Sequence, residues 1–157
     1  MLPAIPQELS DTILDFLHDD MAALCSAGLV CRSWLPASRF HLFSEIELNR
    51  QINGHRVLLE AICAECSTIP PYIRYLEIYG DESQFVDETL LRLPLLSNLK
   101  GLSFWMINMA DLTPNAKKGL TTLLPNLTAL YFISFDVCNC FSLHLDSFCL
   151  ICNIGTV

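Results

Sequence analysis

Apolar side chains recur at helical spacing near the beginning of the chain. Leu9, Ile13, Phe16 and Leu17 occupy positions i, i+4, i+7 and i+8, which form one face of a helix. Leu14 lies about 140° from Leu9, at about 100° per residue, and therefore falls on another side of that helix. The pattern predicts a helix over residues 6 to 19 that is apolar on more than one side.

Two further short helices are predicted to follow the first. Asp19 or Asp20 can cap a helix over residues 21 to 26, since a carboxylate accepts the free backbone N–H groups of a first turn. Gly28 should loosen the chain after this helix. Leu29, Val30 and Trp34 then begin a third helical piece, and Pro36 should kink or restart it because proline has no backbone donor.

From residue 43 onward, apolar residues alternate with a period of two, which is typical of a strand. A strand motif with this alternation then recurs along the chain. The strand template is apolar at its first, fourth and sixth positions, and it occurs as Ile73-x-x-Leu76-x-Ile78, Leu99-x-x-Leu102-x-Phe104 and Leu127-x-x-Leu130-x-Phe132. Its central leucines are separated by 26 and then 28 residues, and Ile46-x-Leu48 can be counted as a degenerate first copy.

Helix-like segments alternate with these strands, at residues 56 to 66, 86 to 93 and 116 to 124. The last segment follows a Thr113-Pro114 pair, which is typical of a helix cap and first helical residue. One strand and one helix that recur every 20 to 30 residues or so predict a leucine-rich solenoid.

Composition and charge exclude several classes of function. Of the 157 residues 52% are hydrophobic and 17% are charged, which is typical of a chain that folds into a globular core. Nine Lys and Arg against seventeen Asp and Glu give a net charge of -8, so nucleic acid and anionic membranes are poor partners. The first residues have no features of a signal peptide, and we expect a soluble protein of the cytoplasm or nucleus.

The cysteines raise the question of a metal site near the end of the chain. Cys138 and Cys140, followed by Cys149 and Cys152, offer four thiolates, which is the number that a structural zinc ion takes. A single residue separates the first pair, however, and the neighbouring side chains are apolar. The pattern therefore favours core packing of reduced cysteines, with no metal and no disulfide framework.

No motif typical of an enzyme is found in the sequence. His18, His41, His55 and His144 are scattered and belong to no metalloprotease or nucleophile-elbow pattern. The six glycines form no phosphate-cradling loop. We expect a binding protein with no catalytic residue and no cofactor.

The order and spacing of the motifs at the front of the chain resemble the F-box family. The pattern is Ile5-Pro6-x-Glu8-Leu9-x-x-x-Ile13-Leu14-x-x-Leu17, then Asp20-Met21 and Leu24, then Val30-Cys31-Arg32-x-Trp34, then Leu42-Phe43, closing with Ile46-x-Leu48. Residues 33 to 43 resemble the variant common in mushroom-type fungi. Ile5 and Met21 replace the usual leucine, and Phe43 stands where the family often has tryptophan.

The resemblance implies a role in protein ubiquitination. F-box proteins dock onto a Skp-type adaptor, and through it onto a cullin, while their C-terminal repeats select the substrate. The resemblance implies that the residues at the matching positions contact the adaptor. These residues are Ile5, Pro6, Leu9, Ile13, Leu14, Leu17, Leu24, Val30, Cys31, Trp34 and Phe43.

The predicted fold is α+β, with three consecutive regions. Residues 1 to 48 form a three-helix F-box, residues 49 to 135 form an incomplete α/β leucine-rich-repeat solenoid, and residues 136 to 157 form an atypical Cys-rich tail. The predicted function is the substrate receptor of a Skp-cullin-F-box ubiquitin ligase, with an unknown protein substrate.

Two surface features of the repeats are candidates for substrate binding. Trp105 should point outward if Phe104 points into the core, because side chains alternate along a strand, and its position is equally compatible with a buried residue that fills the space between repeats. The Asp81-Glu82 and Asp87-Glu88 pairs are compatible with an acidic recognition patch for a basic substrate, and equally with a solvated loop and the N-terminus of a helix.

Three alternatives stay open at the level of sequence. The chain is also compatible with a leucine-rich-repeat scaffold that acts outside ubiquitin ligation, and with a small metal-binding protein that uses the C-terminal cysteines. The third alternative is a truncated gene product, since only three to four repeat units precede the tail and no polar cap is recognisable.

Overall fold

The computed structural model describes residues 6 to 80, 82 to 94, 96 to 107, 111 to 133 and 149 to 152, and these residues form a mixed α and β fold. The helices in this part of the chain are α1 Gln7–Phe16, α2 Met21–Val30, α3 Leu35–Phe43, α4 His55–Cys63, α5 Ser83–Arg92 and α6 Pro114–Leu123. The strands are β1 Glu45–Asn49, β2 Tyr75–Tyr79, β3 Gly101–Trp105, β4 Ala129–Ile133 and β5 Cys149–Cys152. The chain divides into two compact units, Met1–Glu45 and Ile46–Val157.

Helix α2 of the first unit is longer than the sequence predicted. It begins as expected, because the Asp20 carboxylate accepts the backbone N–H of Ala23 at 2.9 Å. It then runs through Gly28 to Val30, so two predictions are wrong: that this glycine loosens the chain, and that Leu29 and Val30 begin the third helix. A Cβ at Gly28 would lie 3.6 Å from both the Leu35 Cδ1 and the Ser38 Cβ. Both distances are ordinary van der Waals contacts, so α3 packs beside Gly28 without requiring a glycine there.

Helix α3 begins at Leu35, and Pro36 lies in its first turn. A proline is tolerated there because the N–H groups of the first turn have no acceptor within the helix, so the N–H that proline lacks would form no helical hydrogen bond. Pro36 therefore restarts the helix and does not kink it. The three helices enclose a small core, which consists of Leu14, Leu24 and Ala27 with the partly buried Leu17, Trp34, Ala37 and Leu42 packed against them.

The second unit is built on a sheet with the strand order β1-β2-β3-β4-β5, in which β2 to β5 are parallel. The predicted strand template sets its register, since the buried Leu76, Leu102 and Leu130 are partners on neighbouring strands. Ile78 and Phe104 are paired in the same way and are also buried. One face of the sheet is therefore an apolar core layer, as the period of two predicted.

Helices α4, α5 and α6 alternate with the strands along the chain. The start of α6 confirms the predicted cap, since Pro114 is its first residue and the Thr113 hydroxyl accepts the Ala116 N–H at 3.2 Å. Single-turn 3₁₀ helices, Pro70–Tyr72 and Leu124–Asn126, precede β2 and β4.

The repeat is also visible in the backbone hydrogen bonds that precede the strands. The N–H of Lys100 donates to the carbonyl of Arg74 at 2.7 Å, and the N–H of Thr128 donates to the carbonyl of Lys100 at 2.7 Å. The same hydrogen bond thus recurs between successive strand-and-helix repeats, at sequence offsets of 26 and 28 residues.

Most of the predicted Cys-rich tail lies outside the described residues. Within it the structure describes Cys149–Cys152, which pairs with β4 as strand β5. Cys138, Cys140 and His144 lie outside the described residues, as does Ile5 at the front of the chain. In the described part, every helix is too short or too polar to traverse a lipid bilayer.

Candidate protein-binding surfaces

Helix α1 turns its more apolar face away from the core of its unit. Leu9 is 57% exposed, Ile13 is 43% exposed and Phe16 is 82% exposed, and their spacing places all three on one side of the helix. Leu14, on another side, is fully buried. The helix buries a narrow strip in its own core, and it keeps a wider apolar strip in water.

Helix α2 has a second exposed apolar region at its C-terminal end. Its sequence is apolar on nearly all sides, and Leu24 and Ala27 face the core. Leu29 is 88% exposed and Val30 is 65% exposed. A helix that is apolar all round is normally buried on all sides, so these residues are suited to a partner.

The structure divides the predicted adaptor-binding residues into four groups. Pro6, Leu9, Ile13, Val30 and Cys31 are exposed; Leu17, Trp34 and Phe43 are partly buried; Leu14 and Leu24 are core residues; and Ile5 lies outside the described residues. The two core residues have no surface to offer a partner in this conformation.

Several exposed apolar residues were missing from the predicted set. Phe16, Met21, Leu29 and Phe40 are all exposed beside residues that were included. Phe16 lies on the same helical face as Leu9, and this spacing was the sequence signal that could have added it to the predicted set. For Leu29 the signal was the lack of any polar side on α2.

Two polar contacts fix α1 relative to the third helical segment of its unit. The Trp34 Nε1–H donates to the Ser10 hydroxyl at 3.1 Å, and the Ser10 side chain is buried. His41 Nε2 lies 2.9 Å from Asp15 Oδ1. These contacts hold the first unit in one arrangement, with its apolar strip on α1 exposed.

The thiol of Cys31 lies at the end of α2 beside the exposed Val30. Its Sγ is 3.0 Å from the Ser33 hydroxyl. The hydrogen bond from the Ser33 side chain lowers the pKa of Cys31, and the backbone N–H of Trp34 lowers it further. Burial instead raises the pKa of Cys63, although the nearby Arg92 guanidinium opposes this effect. Among the described residues, no cluster of His, Cys, Asp or Glu is arranged to hold a metal ion.

The second unit carries an aromatic surface on the sheet face opposite its core layer. We call this surface the aromatic face, and it consists of Tyr75, Glu77, Tyr79, Trp105 and Tyr131. Its central feature is the stack of Tyr79 and Trp105, whose ring centroids are 5.3 Å apart with planes at 16°.

Trp105 occupies the side of the sheet that alternation predicts. Phe104 is buried in the core layer, and Trp105 is partly exposed on the other side. Its indole Nε1 is buried and has no hydrogen-bond partner among the described residues.

Asp87 has a structural role, which overturns its use in an acidic recognition patch. The side chain is buried, and both of its carboxylate oxygens accept the backbone N–H of Thr113, at 3.1 and 3.2 Å. It therefore joins α5 to the residue that caps α6. Glu88 stays exposed and accepts a hydrogen bond from Gln84 Nε2 at 3.1 Å.

Comparison of the chain with protein-family models, with curated proteins and with solved structures gives no match to any of them.

Proposed function

We propose that the chain is a substrate receptor of a Skp-cullin-F-box ubiquitin ligase. The helical unit at the front is the F-box and binds a Skp-type adaptor, while the strand-and-helix units behind it are leucine-rich repeats that bind a protein substrate. The chain itself performs no chemistry. The proposal places it in the cytoplasm or nucleus, where the adaptor and the cullin act.

The observation that carries this proposal is the exposed apolar strip on α1. Leu9, Ile13 and Phe16 remain exposed although the unit already has a core of its own. Burying one such side chain contributes roughly 1.5 to 3 kcal/mol, so three of them are enough to anchor an interface. The same residue positions belong to the F-box pattern, apart from Phe16.

The aromatic face is the proposed substrate-binding surface. Tyrosine and tryptophan are the residues most enriched at binding hot spots, and Trp105 lies beside Tyr79 on this face. Glu77 lies between the two tyrosines of β2 and adds negative charge. The face therefore favours a substrate segment with basic side chains, which pair with carboxylates and stack on aromatic rings.

Adaptor capture by purified components tests the docking surface. The variant Ile13→Asp with Phe16→Asp places two charges on the exposed strip, and both positions are exposed, so the unit should fold. A charge buried in an apolar interface costs several kcal/mol, and we expect affinity for a Skp-type adaptor to fall by about a hundredfold or more.

The matched control adds the same charge elsewhere. Asn115→Asp with Thr121→Asp changes two exposed polar positions of α6 and should leave adaptor affinity unchanged. Full affinity of the folded Ile13→Asp, Phe16→Asp variant would refute the assigned surface. Capture of the adaptor without a cullin in the complex would refute the role in ubiquitin ligation and favour a scaffold.

The substrate side is tested separately. Tyr79→Ala with Trp105→Ala should leave adaptor affinity unchanged and should abolish ubiquitination of a substrate once one is identified. Retained ubiquitination of that substrate would rule out the aromatic face as its binding site.

A further inference from the structure

The second unit contains a cavity that the proposed function does not use. Its volume is about 270 Å³, and its lining residues come from the loop after β1, from α4, from Glu82 just before α5, and from α5 itself. No residue of the aromatic face belongs to the lining. The cavity is therefore a separate site.

Guanidinium groups are concentrated in this cavity. Arg50, Arg56 and Arg92 line it, in a chain that has only nine Lys and Arg and a net charge of -8. Two carboxylates, Glu82 and Glu88, also line it, so three cations face two anions. The lining therefore carries a net positive charge, although the protein as a whole is acidic.

The carboxylates of the lining already have partners. Glu82 forms an ion pair with Arg50, and Glu88 accepts a hydrogen bond from Gln84. Arg56 and Arg92 are exposed, and their guanidinium groups form no ion pair within the described part of the chain. These two groups are available to an incoming anion.

A buried hydroxyl also lies in the wall of this cavity. Thr89 is fully buried, and its Oγ1 has no hydrogen-bond partner among the described residues. Buried hydroxyl groups are nearly always paired, because an unpaired one costs about 1 to 3 kcal/mol. The hydroxyl is closed off from the space of the cavity, so a ligand would reach it only after a local rearrangement of the wall.

We propose that this cavity binds a small phosphate monoester. Arginine is the residue best suited to phosphate, because its planar fork donates two parallel hydrogen bonds to two oxygens of one group. Pockets for drug-sized ligands begin at about 300 Å³, so a cavity of this size takes one phosphorylated amino acid or a similar molecule. Free phosphate and a phosphorylated side chain share this chemistry.

The site is tested by calorimetric titration of the full chain at low ionic strength. Inorganic phosphate and O-phosphoserine should bind saturably at one site per chain, and serine should not bind. In Arg56→Gln with Arg92→Gln, affinity for both phosphate compounds should fall by about tenfold or more, because charge-assisted hydrogen bonds are lost. A phosphoserine peptide that binds more tightly than O-phosphoserine would identify a protein as the source of the phosphate.

A second variant controls for net charge. Lys100→Gln with Lys118→Gln removes two positive charges from exposed positions of the same unit outside the cavity. Its affinity should stay within about twofold of the wild type, because charges outside the site are screened by solvent and salt. If the double arginine variant fails to fold, Arg56→Gln alone should still lose affinity.

Three results would overturn the proposal. They are the absence of saturable binding to the wild type, unchanged affinity in the arginine variants, and an equal loss of affinity in the lysine variant. None of these results depends on whether the chain binds a Skp-type adaptor.

Discussion

The indole Nε1–H of Trp34 donates a hydrogen bond of 3.1 Å to the hydroxyl of Ser10, a residue of α1 that lies 24 positions earlier in the chain. Ser10 is buried although it is polar, and the bond explains how its hydroxyl is tolerated there. Trp34 immediately precedes α3 and packs on the core of Leu14 and Leu24. One side chain thus supplies both packing and a polar link between the first and third helices.

Ser10→Ala should destabilise the helical unit by about 1 to 2 kcal/mol, because the indole N–H loses its acceptor in a partly buried position. Thermal unfolding followed by tryptophan fluorescence measures the effect, with Trp105→Phe as the background so that only Trp34 emits. Ser26→Ala is the control, since this serine is exposed and bonds only to its own helix. Equal stability of the two variants would show that the link contributes nothing.

Local sequence signals predicted much of the secondary structure. Asp20 and Thr113 cap the helices that they were expected to cap, since a cap depends on a few neighbouring residues. The strand template placed β2, β3 and β4 and their buried leucines, since a period of two specifies which face is apolar. These features are set by residues near in sequence.

The predictions that failed depended on residues distant in sequence. Gly28 continues a helix that packs beside α3, and Asp87 is buried where its acceptor oxygens meet a backbone N–H 26 positions away. Periodicity also could not decide which apolar side of α1 faces its own core. Leu14 is buried and Ile13 is exposed, although both are apolar neighbours in sequence.

Asp87→Ala should lower the free energy of unfolding by about 1 to 3 kcal/mol, since the backbone N–H of Thr113 loses a charged acceptor in a part-buried hydrogen bond. Asp87→Asn should cost less, because the amide oxygen can still accept one hydrogen bond. Urea unfolding monitored by circular dichroism measures both. Asp111→Asn changes an exposed carboxylate nearby in sequence and should stay within about 0.5 kcal/mol of the wild type. A cost for Asp111→Asn as large as that for Asp87→Ala would point to net charge as the cause.

Cys31 should react with iodoacetamide at lower pH than Cys63. The thiolate is the reactive form, and a lowered pKa gives Cys31 a larger thiolate fraction at every pH below the ordinary value, whereas the raised pKa of Cys63 has the opposite effect. Mass spectrometry of the labelled peptides across pH 6 to 10 or so gives both rate curves. Ser33→Ala should move the Cys31 curve to higher pH and leave the Cys63 curve in place.

The same labelling reports on docking. Cys31 is exposed and belongs to the proposed adaptor-binding set, so a saturating Skp-type adaptor should slow its alkylation. Cys66 is also exposed and serves as the internal control in the second unit. Slowing at both cysteines, or at neither, would contradict the assigned docking surface.

Thr89→Val should raise the free energy of unfolding by about 1 kcal/mol in phosphate-free buffer. Valine has nearly the shape of threonine, and the substitution removes a buried hydroxyl that has no partner among the described residues. Thr89→Ser is the informative counterpart, because it keeps the hydroxyl and loses the buried methyl group, at a cost of about 1 kcal/mol. In urea unfolding, the free energy of unfolding should therefore be highest for the valine variant, lower for the wild type with threonine, and lowest for the serine variant. A valine variant less stable than the wild type would mean that the hydroxyl is hydrogen-bonded, and it would remove the orphaned donor from the wall of the cavity.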